Sequence, residues 1–183
     1  YHPNGSALQA AGARFGQPWH QCRVLSLHGR SDLTPLFAAL KKIFPQARLI
    51  VAASASNRDI LLYNPDVDEV IVYEGLLAFI RQTRRRKIDL AIDPFISYAL
   101  MPAFLTLASG ARYRIGFDIS SRGIFFNAGA IPFAAGKHMT EYMSELVKPL
   151  GIQGIDIAPS IHLDPAEISQ AKNDFVSHVS HEL

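Results

Sequence analysis

Residues 23–53 read RVLSLHGRSDLTPLFAALKKIFPQARLIVAA. Two apolar runs, Arg23–Leu27 and Arg48–Ala53, flank a segment that follows Thr34-Pro35 and repeats its apolar side chains at helical spacing. A strand–helix–strand unit of this kind joins parallel strands through a right-handed crossover. Residues 28–32 are then the loop after the first strand, at the edge of the sheet where ligands of such folds bind.

The same alternation continues along the chain to residue 150. It predicts further strands over 69–73, 89–93, 114–117 and within 123–132, and helices over 58–62, 76–86, 96–108 and 138–150. The strands are almost continuously apolar, which is typical of strands buried on both faces of a parallel sheet. The sequence therefore predicts an α/β fold with a Rossmann-like, doubly wound parallel sheet.

The composition is that of a globular protein. Of the 183 residues, 49% are hydrophobic and 19% are charged, and the formal net charge is +2. These values exclude a disordered chain, and no uncharged apolar stretch is long enough for a membrane span. Cys22 is the only cysteine, which excludes a disulfide framework and zinc sites built from cysteine. We expect residues 1–22 to be a leader or tag-like segment and residues 23–163 to form the folded domain.

Positive charge is concentrated in the middle of the chain. Residues 76–122 carry eight of the 18 Lys and Arg residues but only three of the 16 Asp and Glu residues. This imbalance predicts a basic patch if folding gathers the side chains on one face. In the alternative interpretation, Arg84–Lys87 are the solvated end of a helix, a position that suits cations. Nucleic acid is not an expected partner, because aromatic residues do not alternate with the arginines.

The loop over residues 28–32 holds the side chains best suited to catalysis. Asp32 lies just before a predicted helix, whose dipole favours an ionised carboxylate, and such a group can accept a hydroxyl proton as a general base. His28 could also act as the general base, or it could donate a hydrogen bond to a phosphate group. Alternatively, Ser31 and Asp32 cap the helix and His28 is an ordinary loop residue. The sequence has no glycine fingerprint for dinucleotides, no Walker loop and no metal-binding histidine spacing, so it predicts no cofactor and no metal.

Several longer strings of residues are specific enough to indicate a family. They are Thr34-Pro-Leu-Phe-Ala-Ala-Leu-Lys41, Asn64-Pro-Asp-Val-Asp-Glu-Val70, Arg84-Arg-Arg-Lys-Ile-Asp-Leu-Ala-Ile-Asp93, Ser109-Gly-Ala-Arg112, Arg114-Ile-Gly-Phe-Asp118, and His138 with Glu141. Together they resemble the N-terminal half of glycosyltransferase family 9, the ADP-heptose:lipopolysaccharide heptosyltransferases.

The resemblance implies the acceptor-binding half of a bilobal GT-B glycosyltransferase. It implies inverting, metal-independent transfer of heptose or a related sugar from a nucleotide-sugar such as ADP-heptose to an anionic, lipopolysaccharide-type glycolipid. Residues 164–183 would begin the helix that crosses to a donor-binding domain outside this sequence, so the chain alone is expected to be inactive. The implied location is the bacterial cytoplasm, with peripheral contact to the inner membrane. Two alternatives stay open: a non-catalytic binding module with a glycosyltransferase-like fold, and an unrelated flavodoxin-like binding domain.

The resemblance also assigns roles to single residues. Asp32 becomes the catalytic base, although the family's acidic residue precedes its Thr-Pro pair by about three more positions. Either the loop is shortened and Asp32 replaces the usual base, or the base is lost. The residues expected to contact the acceptor are His28, Gly29, Arg30, Asp93, Asp118 and Arg122.

Overall fold

A computed structural model describes residues 22–27, 33–150, 164–166 and 168–170 of the chain. Within these residues, six strands form one all-parallel sheet in the order β3-β2-β1-β4-β5-β6. The strands are β1 Arg23–Leu27, β2 Arg48–Ala53, β3 Glu69–Val72, β4 Leu90–Asp93, β5 Tyr113–Asp118 and β6 Gly129–Pro132. Strand β1 pairs with both β2 and β4, so β2 and β3 lie on one side of it and β4 to β6 on the other. The strand order therefore reverses at β1, and ligands of such sheets bind at the carboxyl end of the strands at this point.

Helices connect the strands and cover both faces of the sheet. The α-helices are α1 Thr34–Ile43, α2 Arg58–Leu62, α3 Leu76–Arg86, α4 Leu100–Ala108 and α5 Met139–Val147, with 3₁₀ turns at Ala55–Asn57, Arg122–Phe125 and Lys148–Leu150. Residues 165–166 and 168–170 are also helical. The doubly wound α/β fold predicted from the alternation of elements is therefore confirmed.

Two apolar clusters, one on each face, hold these helices to the sheet. On one face, Val24 of β1 belongs to the same cluster as Phe37 of α1 and Met143 of α5. On the other face, Leu25 and the neighbouring strands pack with Phe79 of α3. Successive residues of a strand point to opposite faces, so a continuously apolar strand supplies both clusters.

One predicted helix begins later than expected. The apolar composition predicted a helix from residue 96, but α4 begins only at Leu100. Side chains hold the preceding residues in a loop: Asp93 Oδ1 accepts the backbone N–H of Phe95 at 3.0 Å, and Ser97 Oγ accepts that of Ala99 at 3.0 Å. Such local bonds compete with helix formation, so the apolar run is divided between a loop and a helix.

The close approach of β5 to its following turn requires a glycine at position 116. A Cβ atom there would lie 2.2 Å from Cζ of Phe126, which is buried. We expect Gly116→Ala to lower the free energy of unfolding by about 1–3 kcal/mol, because a packed ring has to move. Urea denaturation measures this loss. As a control, Gly116→Ala is also made in the Phe126→Leu variant, where it should lower the free energy of unfolding much less because the ring is gone. An equal loss in the wild type and in the Phe126→Leu variant would contradict the proposed clash.

Among the residues that the structure describes, none of the helices combines the length and the apolar character needed to cross a membrane.

Candidate functional site

An apolar pocket of about 430 Å³ opens at the carboxyl ends of the central strands. Its walls come from β1, β2, α3, α4 and the loops that follow β2, β3 and β4. The residues that line it include Leu27, Ala53, Tyr73, Phe79, Phe95 and Leu105. A concave apolar site at the point where strand order reverses is the usual ligand position in a doubly wound sheet.

Large apolar side chains are also exposed beside this pocket. Tyr98 is 77% exposed and Met101 is 53% exposed, and both belong to the segment that leads from β4 into α4. Leu77, at the start of α3, is 84% exposed. Exposed apolar side chains beside an apolar pocket indicate a surface that takes up an apolar ligand or partner.

A buried ion pair stands beside the pocket. Arg122 Nη2 donates a charge-assisted hydrogen bond to Asp93 Oδ2, and both side chains are fully buried. Arg122 Nη1 also donates to the carbonyl oxygen of Phe95 at 2.9 Å and to that of Ser97 at 2.6 Å. Because Phe95 lines the pocket, this pair fixes part of the pocket wall to the end of β4.

Burial and charge act on Asp93 in opposite directions. Removal from water raises the pKa of Asp93 to about 6, while the positive charge of Arg122 acts to lower it. On the other partner, the buried Arg122 Nε atom has no hydrogen-bond partner among the described residues. Within the described part of the chain, the guanidinium is held through Nη1 and Nη2, and one carboxylate matches its charge.

The turn that delivers Arg122 has an unusual backbone. Ser120 and Ser121 both have positive φ, at 51° and 66°, which side chains other than glycine adopt rarely. Asp118 Oδ1 accepts the backbone N–H of Gly123 at 2.8 Å and closes the turn. A Cβ atom at Gly123 would lie 2.7 Å from that carboxyl group, so this contact also requires a glycine.

The predicted site residues thus fall into two groups. Asp93, Arg122 and Asp118 are described, and they stabilise two neighbouring loops at the carboxyl edge without lining the pocket. Their role as acceptor contacts stays a prediction. The candidate base Asp32 and the candidate contacts His28, Gly29 and Arg30 lie outside the described residues, and their roles also stay predictions.

The sequence predicted the carboxyl edge of the sheet as the ligand position, but it did not predict the apolar pocket that lies there. Its residues come from two strands, three loops and two helices, and each was assigned to the core or to a connecting segment on its own pattern. The sequence does hold one signal for such a pocket. The last residues of β1 and β2, Leu27 and Ala53, are apolar although a polar loop follows each strand.

The basic segment lies at the opposite edge of the sheet. Helix α3 runs back from the end of β3 to the start of β4, so Arg84–Lys87 reach the amino ends of the strands. Arg84 and Arg85 are exposed there, whereas Arg86 is partly buried and pairs with Glu69. Arg84–Lys87 thus form the end of a helix away from the apolar pocket, whereas Arg122 of the same basic segment is buried at the carboxyl edge.

No group of three or more His, Cys, Asp or Glu side chains within the described ranges is arranged to hold a metal ion.

Comparison with known proteins gives matches in structure but not in sequence. No family model and no curated protein sequence matches the chain. The family 9 glycosyl transferase from Veillonella parvula superposes with a TM-score of 0.71 at 17% identity, over 86% of this chain and 49% of its own. The ADP-heptose lipopolysaccharide heptosyltransferase II of E. coli superposes with a TM-score of 0.67 at 20% identity, over 84% of this chain and 50% of its own.

A third structure is heptosyltransferase WaaC of E. coli, solved with ADP-2-deoxy-2-fluoro heptose. It gives a TM-score of 0.60 at 17% identity, over 75% of this chain and 51% of its own. The chain therefore spans about half the length of each of these enzymes. At such identities the likeness concerns the fold, and the resemblance in fold to glycosyltransferase family 9 that the motifs predicted is confirmed.

Proposed function

We propose that this chain is the acceptor-binding part of a glycosyltransferase that moves heptose, or a related sugar, from a nucleotide-sugar to a lipopolysaccharide-type glycolipid. The observation that carries the proposal is the agreement of two separate signals. The family 9 motifs extend along the folded part of the chain, and the same part superposes on a family 9 enzyme and on two heptosyltransferases.

The chemistry of the pocket supports an amphiphilic acceptor. Its described lining is almost entirely apolar and would bind a hydrocarbon or ring surface rather than a phosphate. Met101 lines the pocket and is half exposed, and the exposed Tyr98 extends that apolar surface beyond the pocket. We assign the pocket and its rim to the lipid part of the acceptor, which leaves the sugar part for the loops that follow β1 and β5.

The proposed reaction is direct displacement at the anomeric carbon of the donor sugar. The carboxylate of Asp32 takes the proton of an acceptor hydroxyl, the hydroxyl oxygen forms the new glycosidic bond, and the bond to the nucleoside diphosphate breaks. The configuration is inverted because the attack comes from the face opposite the leaving group, and the proposed step uses no metal ion. In the bilobal arrangement of the family, a second domain binds the nucleotide-sugar. Reaction in the cytoplasm, at the inner membrane surface, is part of the same proposal.

Binding measurements on the chain test its assignment to the acceptor. We expect the purified chain to bind a lipid A-type glycolipid. It should bind ADP-heptose at least ~10-fold more weakly, because the proposal assigns the charge-assisted contacts to the nucleotide-sugar to the second domain, and the loss of one set of such contacts has an effect of this size. Ala99→Trp, which places a large ring at the pocket, should weaken glycolipid binding about tenfold or more by occupying the space. Leu62→Trp, at an exposed position outside the pocket, is the matched control and should leave binding unchanged.

The outcomes separate the proposal from its alternatives. Preferential binding of ADP-heptose, or glycolipid binding that Ala99→Trp does not weaken, would contradict the assignment. Glycolipid binding with no transfer, when the chain is joined to a donor-binding domain, would favour the non-catalytic module.

A further inference from the structure

A second, chemically different cleft opens at the amino edge of the sheet. It has a volume of about 610 Å³ and lies where β1, β2 and β3 begin and α3 ends. Of the residues that the structure describes, six charged ones line it: Arg23, Arg48, Glu69, Arg85, Arg86 and Lys87. Five cations thus face a single carboxylate, and the cleft is separated from the apolar pocket by the length of the strands.

The single carboxylate is already paired. Glu69 Oε2 accepts a hydrogen bond from Arg48 Nη2 at 2.9 Å, and Glu69 Oε1 accepts one from Arg86 Nε at 2.7 Å. The nearby carboxylate of Asp89 accepts the backbone N–H of Arg23 at 2.8 Å. Among the described residues, no carboxylate lies within ion-pair distance of the side chains of Arg23, Arg85 or Lys87.

The backbone fixes the Cα positions of these residues around the cleft. Arg23 and Arg48 are the first residues of two paired strands and face each other in the register. Lys87 closes α3 in the left-handed conformation, with φ at 50°, and its backbone N–H donates to the carbonyl oxygen of Arg84 at 3.2 Å. The cations at the end of α3 also lie at the negative end of the helix dipole, which stabilises several positive charges there.

We infer that this amino-edge cleft binds a small anion that carries several phosphate groups. Guanidinium groups match phosphate oxygens with paired hydrogen bonds, and a lysine adds a compact positive charge. The site is concave, which suits a solute better than a flat membrane surface. Two of the most exposed large apolar side chains, Leu77 and Tyr98, lie at the other edge of the sheet.

Calorimetric titration of the chain with inorganic tripolyphosphate tests this inference. We expect saturable binding that Arg23→Gln/Arg85→Gln weakens about tenfold or more, because two charge-assisted contacts are lost. Arg81→Gln removes the same charge from the same helix but lies outside the cleft, so it should leave the affinity nearly unchanged. Arg85→Gln alone, at an exposed position, serves if the double variant folds poorly.

Each other outcome would overturn the inference. Equal weakening by Arg81→Gln would show a general effect of net charge. Absence of saturable binding would show that the cations do not form a site. Binding to phosphatidylglycerol vesicles, without binding to tripolyphosphate, would assign the surface to a lipid headgroup. Since none of these measurements involves sugar transfer or the glycolipid, their result is independent of the proposed function.

Discussion

Arg122→Met is expected to lower the free energy of unfolding by about 3–5 kcal/mol, the usual cost of breaking a buried ion pair by removing one partner. The substitution leaves Asp93 in a fully buried position without its counter-charge. It also removes the donors to the carbonyl oxygens of Phe95 and Ser97. Urea denaturation followed by circular dichroism measures the loss, and Arg58→Met, on the exposed surface of α2, should change stability by less than ~0.5 kcal/mol.

A second variant distinguishes loss of the pair from loss of packing. In Asp93→Leu/Arg122→Met, both charges are replaced by apolar side chains, so no uncompensated charge remains. We expect this double variant to be more stable than Arg122→Met alone. A double variant that is less stable than the single one would mean that the carboxylate and the guanidinium do not act as a pair.

The effect of pH on this loss follows from the pKa of Asp93. In the native protein that pKa is raised to about 6 against an ordinary value of 3.8, so the folded state holds the proton more tightly and stability falls as pH rises between these values. Without Arg122 the folded-state pKa rises further, and the variant continues to lose stability above pH 6. The stability difference between wild type and Arg122→Met should therefore grow above about pH 6; a difference that shrinks there would contradict this account.

Asp32→Asn is expected to lower the rate of sugar transfer by about 10²–10⁴-fold, in a protein that joins this chain to a donor-binding domain. The amide cannot accept the proton of the attacking hydroxyl, so the nucleophile stays unactivated. Acceptor binding should be nearly unchanged, since the two side chains have almost the same shape. Release of the nucleoside diphosphate measures the rate, and titration with the glycolipid measures the binding.

The matched control for this prediction is Asp59→Asn, which removes a highly exposed carboxylate from α2 and should leave the transfer rate unchanged. Unchanged turnover in Asp32→Asn would refute the assignment of the base. A rate loss that is matched by an equal loss of glycolipid affinity would instead make Asp32 a binding residue.

Local patterns were sufficient to predict most of the fold. The bounds of β1, β2, α2 and α3 agree with the predicted ones, because their apolar spacing and flanking turn residues are signals within a few positions. The predicted start of α4 was wrong because local and distant contacts together hold the loop before it. Asp93 and Ser97 accept backbone N–H groups within that loop, and the guanidinium of Arg122 binds the carbonyl oxygens of Phe95 and Ser97 from more than twenty positions along the chain.

The candidate site was less predictable than the fold. Asp93 and Arg122 were both singled out, but no spacing rule indicates that they would pair, since the contact arises from the turn around Ser120 and Ser121. Residues of two motifs that carry the family resemblance make contacts that hold the fold. Asp68 binds the N–H of Leu49 at 2.6 Å, and Asp118 binds that of Gly123. Such residues identify a fold more directly than a reaction.

The central position of β1 has a consequence for the growing chain on the ribosome. Three strands, β1 to β3, can pair as soon as residue 72 has emerged, but the second edge of β1 waits for residues 90–93. During that interval an almost wholly apolar strand presents unpaired amide and carbonyl groups to its surroundings, a state that favours aggregation. We therefore expect nascent chains arrested between β3 and β4 to aggregate more readily than the complete chain.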